Sequence, residues 1–287
     1  MHENHDRRKK GIGPAAVAGR RYAYPVPGPP AGITPPAGLL RAVQPPADLD
    51  LGGLFSSRDY PCPGHPSGAR DVLSPASAQA LLACMAGRCR LQPGSELYGE
   101  GESPQRFYLL ATGWVCQYRI LAGGQRHNRK FALPGDLLGW RPVVGAPLDH
   151  SAVSLTAADL WVVDAVLAAR LFRGNAEIMN SLIAYVAREE ALAWERLTCV
   201  TRTAAVERVA HLLYGLFFRL HRRPARDGDR VALPLTQEQI GDAIGLSAVH
   251  VNRMLAQLRR AGILRLAAGY LTVLKGGRLA ALAGREA

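Results

Sequence analysis

Arg253 sits six residues after Ser247 in a segment, Ser247–Arg260, that carries three arginines and no acidic residue. A guanidinium fork can donate to two acceptors at once, and the neighbouring His250 and Asn252 add shorter polar reach, while Val249 offers a small apolar contact. An ordinary solvated helix face mixes charge signs. A face of one sign that also holds forked and amide donors suits the phosphates and base edges of nucleic acid. The chemistry on offer is recognition.

Those side chains need elements to hold them, and the flanking residues supply the signals. Thr236 is a good N-cap and Gln239, three residues on, completes a capping box, so a helix should start there. Ile240 and Ile244 then share one face. Gly245 can take the left-handed conformation that closes this helix, Leu246 plugs the space beyond it, and Ser247 caps the next one. In that second helix Val251, Leu255 and Leu258 form the inward stripe, leaving Ala248, Val249, His250, Asn252, Arg253, Gln257 and Arg260 outward. After Gly262 the run Ile263–Leu274 alternates around Ala267-Ala268-Gly269 and reads as a β-hairpin. Helix, tight turn, helix and hairpin make a winged helix-turn-helix, a reader of double-stranded DNA. Thr236 and Ser247 either cap alone or also approach phosphates, and the backbone at Gly269 with Arg265, Lys275 and Arg278 can add contacts to the sugar-phosphate chain.

Charge distribution agrees with that placement. The chain has 287 residues and a net charge of +12. Residues 1–70 hold nine Lys/Arg and five Asp/Glu, residues 71–200 twelve of each, and residues 201–287 fourteen against six. Most of the excess lies with the DNA reader, where it favours approach to a polyanion.

Twelve of the twenty prolines fall in the first 66 residues, which show no sustained apolar period. Residues 1–68 therefore read as a disordered, Pro/Gly-rich basic extension. No apolar run follows the basic start and none is long enough to span a bilayer, so a cytoplasmic protein without a membrane partner is expected. Five cysteines, an odd number, read as thiols.

From Leu91 to about Ala165, short β-rich runs alternate with glycine-marked turns. Glu96–Tyr98, Arg106–Leu110, Trp114–Ile120, Arg129–Leu133, Ala152–Leu155 and Leu160–Val163 suggest a small antiparallel barrel or roll. A long helix over about 175–200 should follow. Ile178, Leu182, Val186, Ala193 and Leu197 lie along one stripe of it, with Glu189 as the polar interruption. That stripe suits either the chain's own roll or a two-stranded seam, and its near-heptad spacing favours the dimer. The expected class is α+β: a disordered extension (1–68), an N-terminal antiparallel β-roll (69–172), a dimerisation helix (173–200) and a C-terminal winged helix-turn-helix (201–287).

This order resembles the Crp/Fnr family of bacterial transcription regulators over residues 75–282. The residues that carry the likeness are Gly94 with Tyr98-x-Glu100-Gly101, Tyr108-Leu-Leu-x-x-Gly113 and Pro134-Gly135-Asp136-x-x-Gly139. In the C-terminal half they are Ala205-x-x-Arg208-x-Ala210-x-Leu212, Leu235-Thr236-x-x-x-Ile240-Gly241, Gly245-Leu246-Ser247 and Val251-x-Arg253-x-Leu255. The resemblance implies a cyclic-nucleotide-binding-like roll, a homodimer, a pseudo-palindromic operator with half-sites about one helical turn apart, and RNA polymerase as a partner. It also implies that Arg253 reads guanine through O6 and N7. Where the best-known branches place a glutamate for cytosine this chain has Val249, so its operator should depart there.

The effector positions depart as well. After Gly139, cyclic-AMP-responsive members supply a glutamate for the ribose and an Arg-Ser pair for the phosphate; here Trp140 and His150-Ser151 stand there. Trp140 cannot accept a ribose hydroxyl, and neutral His150 lacks arginine's charge and fork. Cyclic AMP is not the expected cofactor; the alternative is a cyclic-nucleotide-responsive regulator with altered contacts. An iron–sulfur cluster is not expected either, because Cys62, Cys84, Cys89 and Cys116 have the wrong spacing for the oxygen-sensing branch. Cys116 remains open as a lone thiol sensor. A metal-dependent enzyme on the roll would need a His-x-His pair; the roll has only His127 and His150, so no metal and no enzymatic activity are expected.

Overall fold

The computed structural model describes residues 73–221 and 223–285. The expected N-terminal extension and Cys62 lie outside them. After a short helix α1 (Pro75–Leu82), eight strands build the roll: β1 (Met85–Leu91), β2 (Glu96–Tyr98), β3 (Arg106–Thr112), β4 (Val115–Ile120), β5 (Arg126–Ala132), β6 (Leu137–Leu138), β7 (Ser151–Ser154) and β8 (Ala158–Asp164). They pair antiparallel in two four-stranded sheets, β1-β8-β3-β6 and β2-β7-β4-β5. The roll starts earlier than the apolar runs predict. Strand β1 alternates exposed Arg88 and Arg90 with buried Cys89 and Leu91, a half-polar edge that carries little sequence signal.

Alternation along the strands sorts side chains into distinct cores. Tyr108, Leu110, Leu160 and Val162 point between the sheets, beside Leu91, Val115 and Leu138. Their neighbours Phe107, Leu109, Trp161 and Val163 point outward, where they pack with Leu81, Phe172, Ile178 and Leu182 from α1, α2 (Ala165–Gly174) and α3 (Ala176–Arg202). Strands buried on both faces read as unbroken apolar runs, which is why Phe107–Leu110 shows no polar alternation. The other sheet turns Cys116, Tyr118 and Phe131 outward into the core of the C-terminal elements.

Those elements are α4 (Ala205–His221), β9 (Arg230–Ala232), α5 (Gln237–Ile244), α6 (Ala248–Arg260), β10 (Leu264–Ala267), β11 (Tyr270–Val273) and α7 (Gly276–Leu282). The expected hairpin forms between β10 and β11, and β9 joins it to make a three-stranded sheet ordered β10-β11-β9. The three residues of β9 are too few to register as a strand by pattern.

Helix α3 corrects the expected seam. Asn175 caps it by accepting from the Ile178 amide, and Ile178 and Leu182 are buried against the roll, so they are unavailable to a second chain. Val186, Ala193 and Leu197 are exposed, together with Ile183 and Trp194. A helix of 3.6 residues per turn carries a stripe of steps of four and seven slowly around its surface. The five predicted residues therefore divide between two faces. The open apolar stripe is Ile183, Val186, Trp194 and Leu197, with Trp194 61% exposed.

Glu189, read as an interruption, belongs to a buried ionic cluster. Lys130 Nζ of β5 lies 2.8 Å from its carboxylate and 3.2 Å from that of Asp136. Asp136 also receives Arg219 of α4 and the Leu133 amide at 2.8 Å, and Arg219 donates to the Phe131 carbonyl at 3.0 Å. The cluster ties roll, long helix and C-terminal domain together at one point. Although burial alone would raise it, the adjoining Arg219 and Lys130 hold the Asp136 carboxyl down at about 2.

Candidate nucleic-acid interface and effector pocket

The first helix of the reader begins as its residues dictate. Thr236 Oγ1 accepts from the Gln239 amide at 3.1 Å and Gln239 Oε1 accepts from the Thr236 amide at 2.9 Å, a complete capping box. Gly245 ends α5 at φ +69°. Gly241 is required for a different reason: a Cβ there would lie 2.2 Å from the Leu246 carbonyl oxygen, so only glycine lets the turn fold back on α5. Ser247 caps α6 by accepting from the His250 amide at 3.3 Å. Both hydroxyls at Thr236 and Ser247 thus act as caps.

Ile240, Ile244, Val251, Leu255 and Leu258 are all buried, with Val251 fully inaccessible. Their burial fixes the rotation of α6 and turns Ala248, Val249, His250, Asn252, Arg253, Gln257, Arg259 and Arg260 to solvent. Val249 is 70% exposed, which leaves an apolar side chain on an otherwise polar, basic face. Asn252 Oδ1 accepts from Gln237 Nε2 at 3.5 Å, so α5 steadies one member of the set. At the wing, Ala268 and Gly269 form the tip in left-handed backbone conformations, and the Gly269 carbonyl is taken by the Leu233 amide at 2.8 Å. Arg265, Lys275 and Arg278 are exposed, and Arg230 stacks 3.9 Å over the Tyr270 ring.

Two family profiles match the chain: the Crp-like helix-turn-helix domain over residues 207–282 and the cyclic nucleotide-binding domain over residues 88–175. The chain is 29% identical over 175 residues to the nitrogen fixation regulation protein FixK of Rhizobium meliloti, covering 61% of this chain and 76% of that one. It is 29% identical over 199 residues to the transcriptional activatory protein AadR of Rhodopseudomonas palustris, covering 69% and 82%. The structure of FixK2 from Bradyrhizobium japonicum superposes with a TM-score of 0.60 at 29% identity, over 70% of this chain and 96% of that one. The chain belongs to the Crp/Fnr family. It is a DNA-binding transcription regulator, and the face of α6 lies in the matched helix-turn-helix domain.

In this Crp/Fnr regulator the effector positions are not arranged around one open surface. Trp140 packs toward the α1–α2–α3 side of the roll, ahead of a 3-10 turn over Arg141–Val144. His150 points inward instead: its Nε2 lies 2.9 Å from Tyr98 Oη and its Nδ1 2.7 Å from Asp149 Oδ1. Gly139, at φ +68°, lies against the same tyrosine; a Cβ there would come within 3.0 Å of the Tyr98 ring. Ser151 Oγ accepts from the Glu100 amide at 3.0 Å. Tyr98 therefore stands between Gly139 and His150, the one residue of this set that the motif reading treated only as a marker of the family. Its spacing gave no hint, because the contact spans 52 residues.

Burial lowers the His150 pKa below its ordinary 6.5, although Asp149 opposes the shift, and the imidazole is neutral at pH 7. The unfolded chain takes up a proton near pH 6.5 and the folded chain at a lower pH. The stabilisation is thus present above 6.5 and is lost as pH falls through the folded value. Urea midpoints should show the wild-type advantage over His150→Asn shrinking as pH drops below about 6.5; a constant gap would contradict a buried neutral histidine. His211, lowered in the same direction, is common to both proteins and cancels in the comparison.

The cysteines are poorly disposed for redox chemistry. Cys116 is fully buried, and burial raises its thiol to about 11, so the reactive thiolate is scarce at neutral pH. Cys84, Cys89 and Cys199 are also buried, with pKa values raised chiefly by desolvation. Cys84 lies in the outer roll core, Cys89 between the sheets and Cys116 under the C-terminal domain. His127 is exposed while His150 is buried, so the two roll histidines do not share a surface.

Proposed function

We propose that the protein binds a pseudo-palindromic operator as a homodimer, with α6 of each chain in the major groove and Arg253 reading a guanine. The observation that carries this is the exposed, acid-free face of α6, held in fixed rotation by a buried apolar stripe. Val249 meets a thymine methyl beside that guanine in place of a carboxylate–cytosine contact. Selection of bound sequences from a random pool tests the assignment: half-sites should retain the guanine and favour an apolar-compatible base next to it, and recovery of a glutamate-type half-site would overturn it.

The dimer reading rests on the open stripe of α3. Ile183, Val186, Trp194 and Leu197 share one exposed face of a 27-residue helix, interrupted by the exposed Glu190, and the helix length and their spacing suit a two-stranded seam. Changing Trp194 and Leu197 together to glutamate should convert a dimer mass to a monomer mass in light scattering, with the circular dichroism unchanged. Persistence of the dimer would remove α3 from the interface.

Within this reading the roll takes neither cyclic AMP nor an iron–sulfur cluster. His150 and Tyr98 satisfy each other where a phosphate ligand would be needed, and Cys84, Cys89 and Cys116 lie in separate cores. The protein acts in the cytoplasm through DNA and RNA polymerase and has no enzymatic activity of its own. Among the described residues no helix is long and apolar enough to cross a membrane.

A further inference from the structure

A cleft lies where the roll, the long helix and the C-terminal domain meet, lined by β5, the second half of α3, α4 and the end of α5. Its lining includes Arg129, Lys130, Arg196, Arg208 and Arg219 against a single carboxylate, Glu195. We propose that this cleft binds a small phosphate-class anion, which bridges the three elements. It is separate from the exposed face of α6, and Arg129 links its wall to Asp149 and His150 of the roll.

The charges around the cleft explain why an anion belongs there. Lys130 and Arg219 are compensated from behind by Asp136 and Glu189, Arg129 by Asp149, and Glu195 is taken by Arg285. Each of those pairs is close to neutral as a unit, so the proposed anion is met chiefly by Arg208 and Arg196. Arg208 donates from Nε to the Thr203 carbonyl at 3.2 Å and has no carboxylate partner among the described residues. Arg196 is braced on the opposite wall, with Nη1 donating to the Arg129 carbonyl at 2.8 Å. The two guanidiniums thus come from different elements, α3 and α4, each fixed by a backbone carbonyl. A tetrahedral anion with several acceptor oxygens can be held from both sides, whereas like charges confined in a partly desolvated cleft repel each other. Binding would tighten α4 against α3 and β5, and so hold the DNA-binding domain on the roll.

The full chain should be titrated with inorganic phosphate at constant ionic strength made up with chloride, and its melting temperature followed. A saturable rise of about 5 °C near saturation is expected. The rise should disappear in Arg196→Gln/Arg208→Gln and persist in Arg253→Gln, which removes charge from α6. No rise beyond that in chloride, or a rise that survives the double change, would overturn the site. Loss in Arg253→Gln alone would place the anion on α6 and equally overturn it. Because the double variant could fold poorly, hydrogen exchange on the unaltered chain provides a second reading. Phosphate should slow exchange over residues 128–131 and 208–216, and unchanged exchange there would refute the proposal without any variant.

Discussion

Replacing Arg253 with alanine should lower affinity for the selected operator by about a hundredfold or more, because the homodimer loses one bidentate guanine contact in each half-site. The side chain is exposed and lies outside the buried stripe of α6, so unfolding should be unaffected. Fluorescence anisotropy at one fixed salt concentration provides the measurement, since salt alone can move such affinities over similar ranges. The decisive comparison is with an unrelated duplex of equal length. A base contact predicts a much smaller loss there, whereas equal losses on both would reassign Arg253 to phosphate.

The second large effect is on stability. Changing Arg219 to alanine removes the guanidinium from Asp136, which then has Lys130 as its remaining ionic partner in a buried setting. Breaking a buried pair from one side commonly costs about 3–5 kcal/mol, because the other charge stays desolvated. Urea unfolding should show a loss near the lower end of that range, as Lys130 still shields Asp136. The reverse change, Asp136→Asn, should be less costly in acid. The Asp136 carboxyl is held at about 2, below its ordinary 3.8, so its stabilisation is complete above that ordinary value and is lost as pH falls toward about 2. A variant whose deficit did not shrink in acid would show that the cluster contributes through packing alone.

These two sites differ in how they could be found. Arg253 was accessible from residue order because everything that orients it is local. Caps at Thr236 and Ser247, the turn at Gly245 and the spacing of Val251, Leu255 and Leu258 all act within a few residues of it. The Asp136 cluster joins groups 59 and 83 residues apart, and no periodicity links Lys130 to Glu189 or Asp136 to Arg219. Pro134-Gly135-Asp136 reads as a turn, which it is, without revealing that its carboxylate is buried. Tyr98 and His150 were likewise both in view, yet their hydrogen bond depends on β2 and β7 lying side by side.

By itself the sequence determined the α+β class, the order of roll, long helix and winged reader, and the composition of the reading face. These follow from capping chemistry, helical and strand periods and the placement of charge, all of which operate over short stretches of chain. Tertiary structure decided how α3 divides its apolar residues, sending Ile178 and Leu182 into the roll and leaving Ile183 and Trp194 open. It also decided which charges are buried together and where the cationic cleft lies. Burial and pairing depend on which distant segments meet, and a helix with apolar residues on two sides carries no local signal for which side meets its own fold.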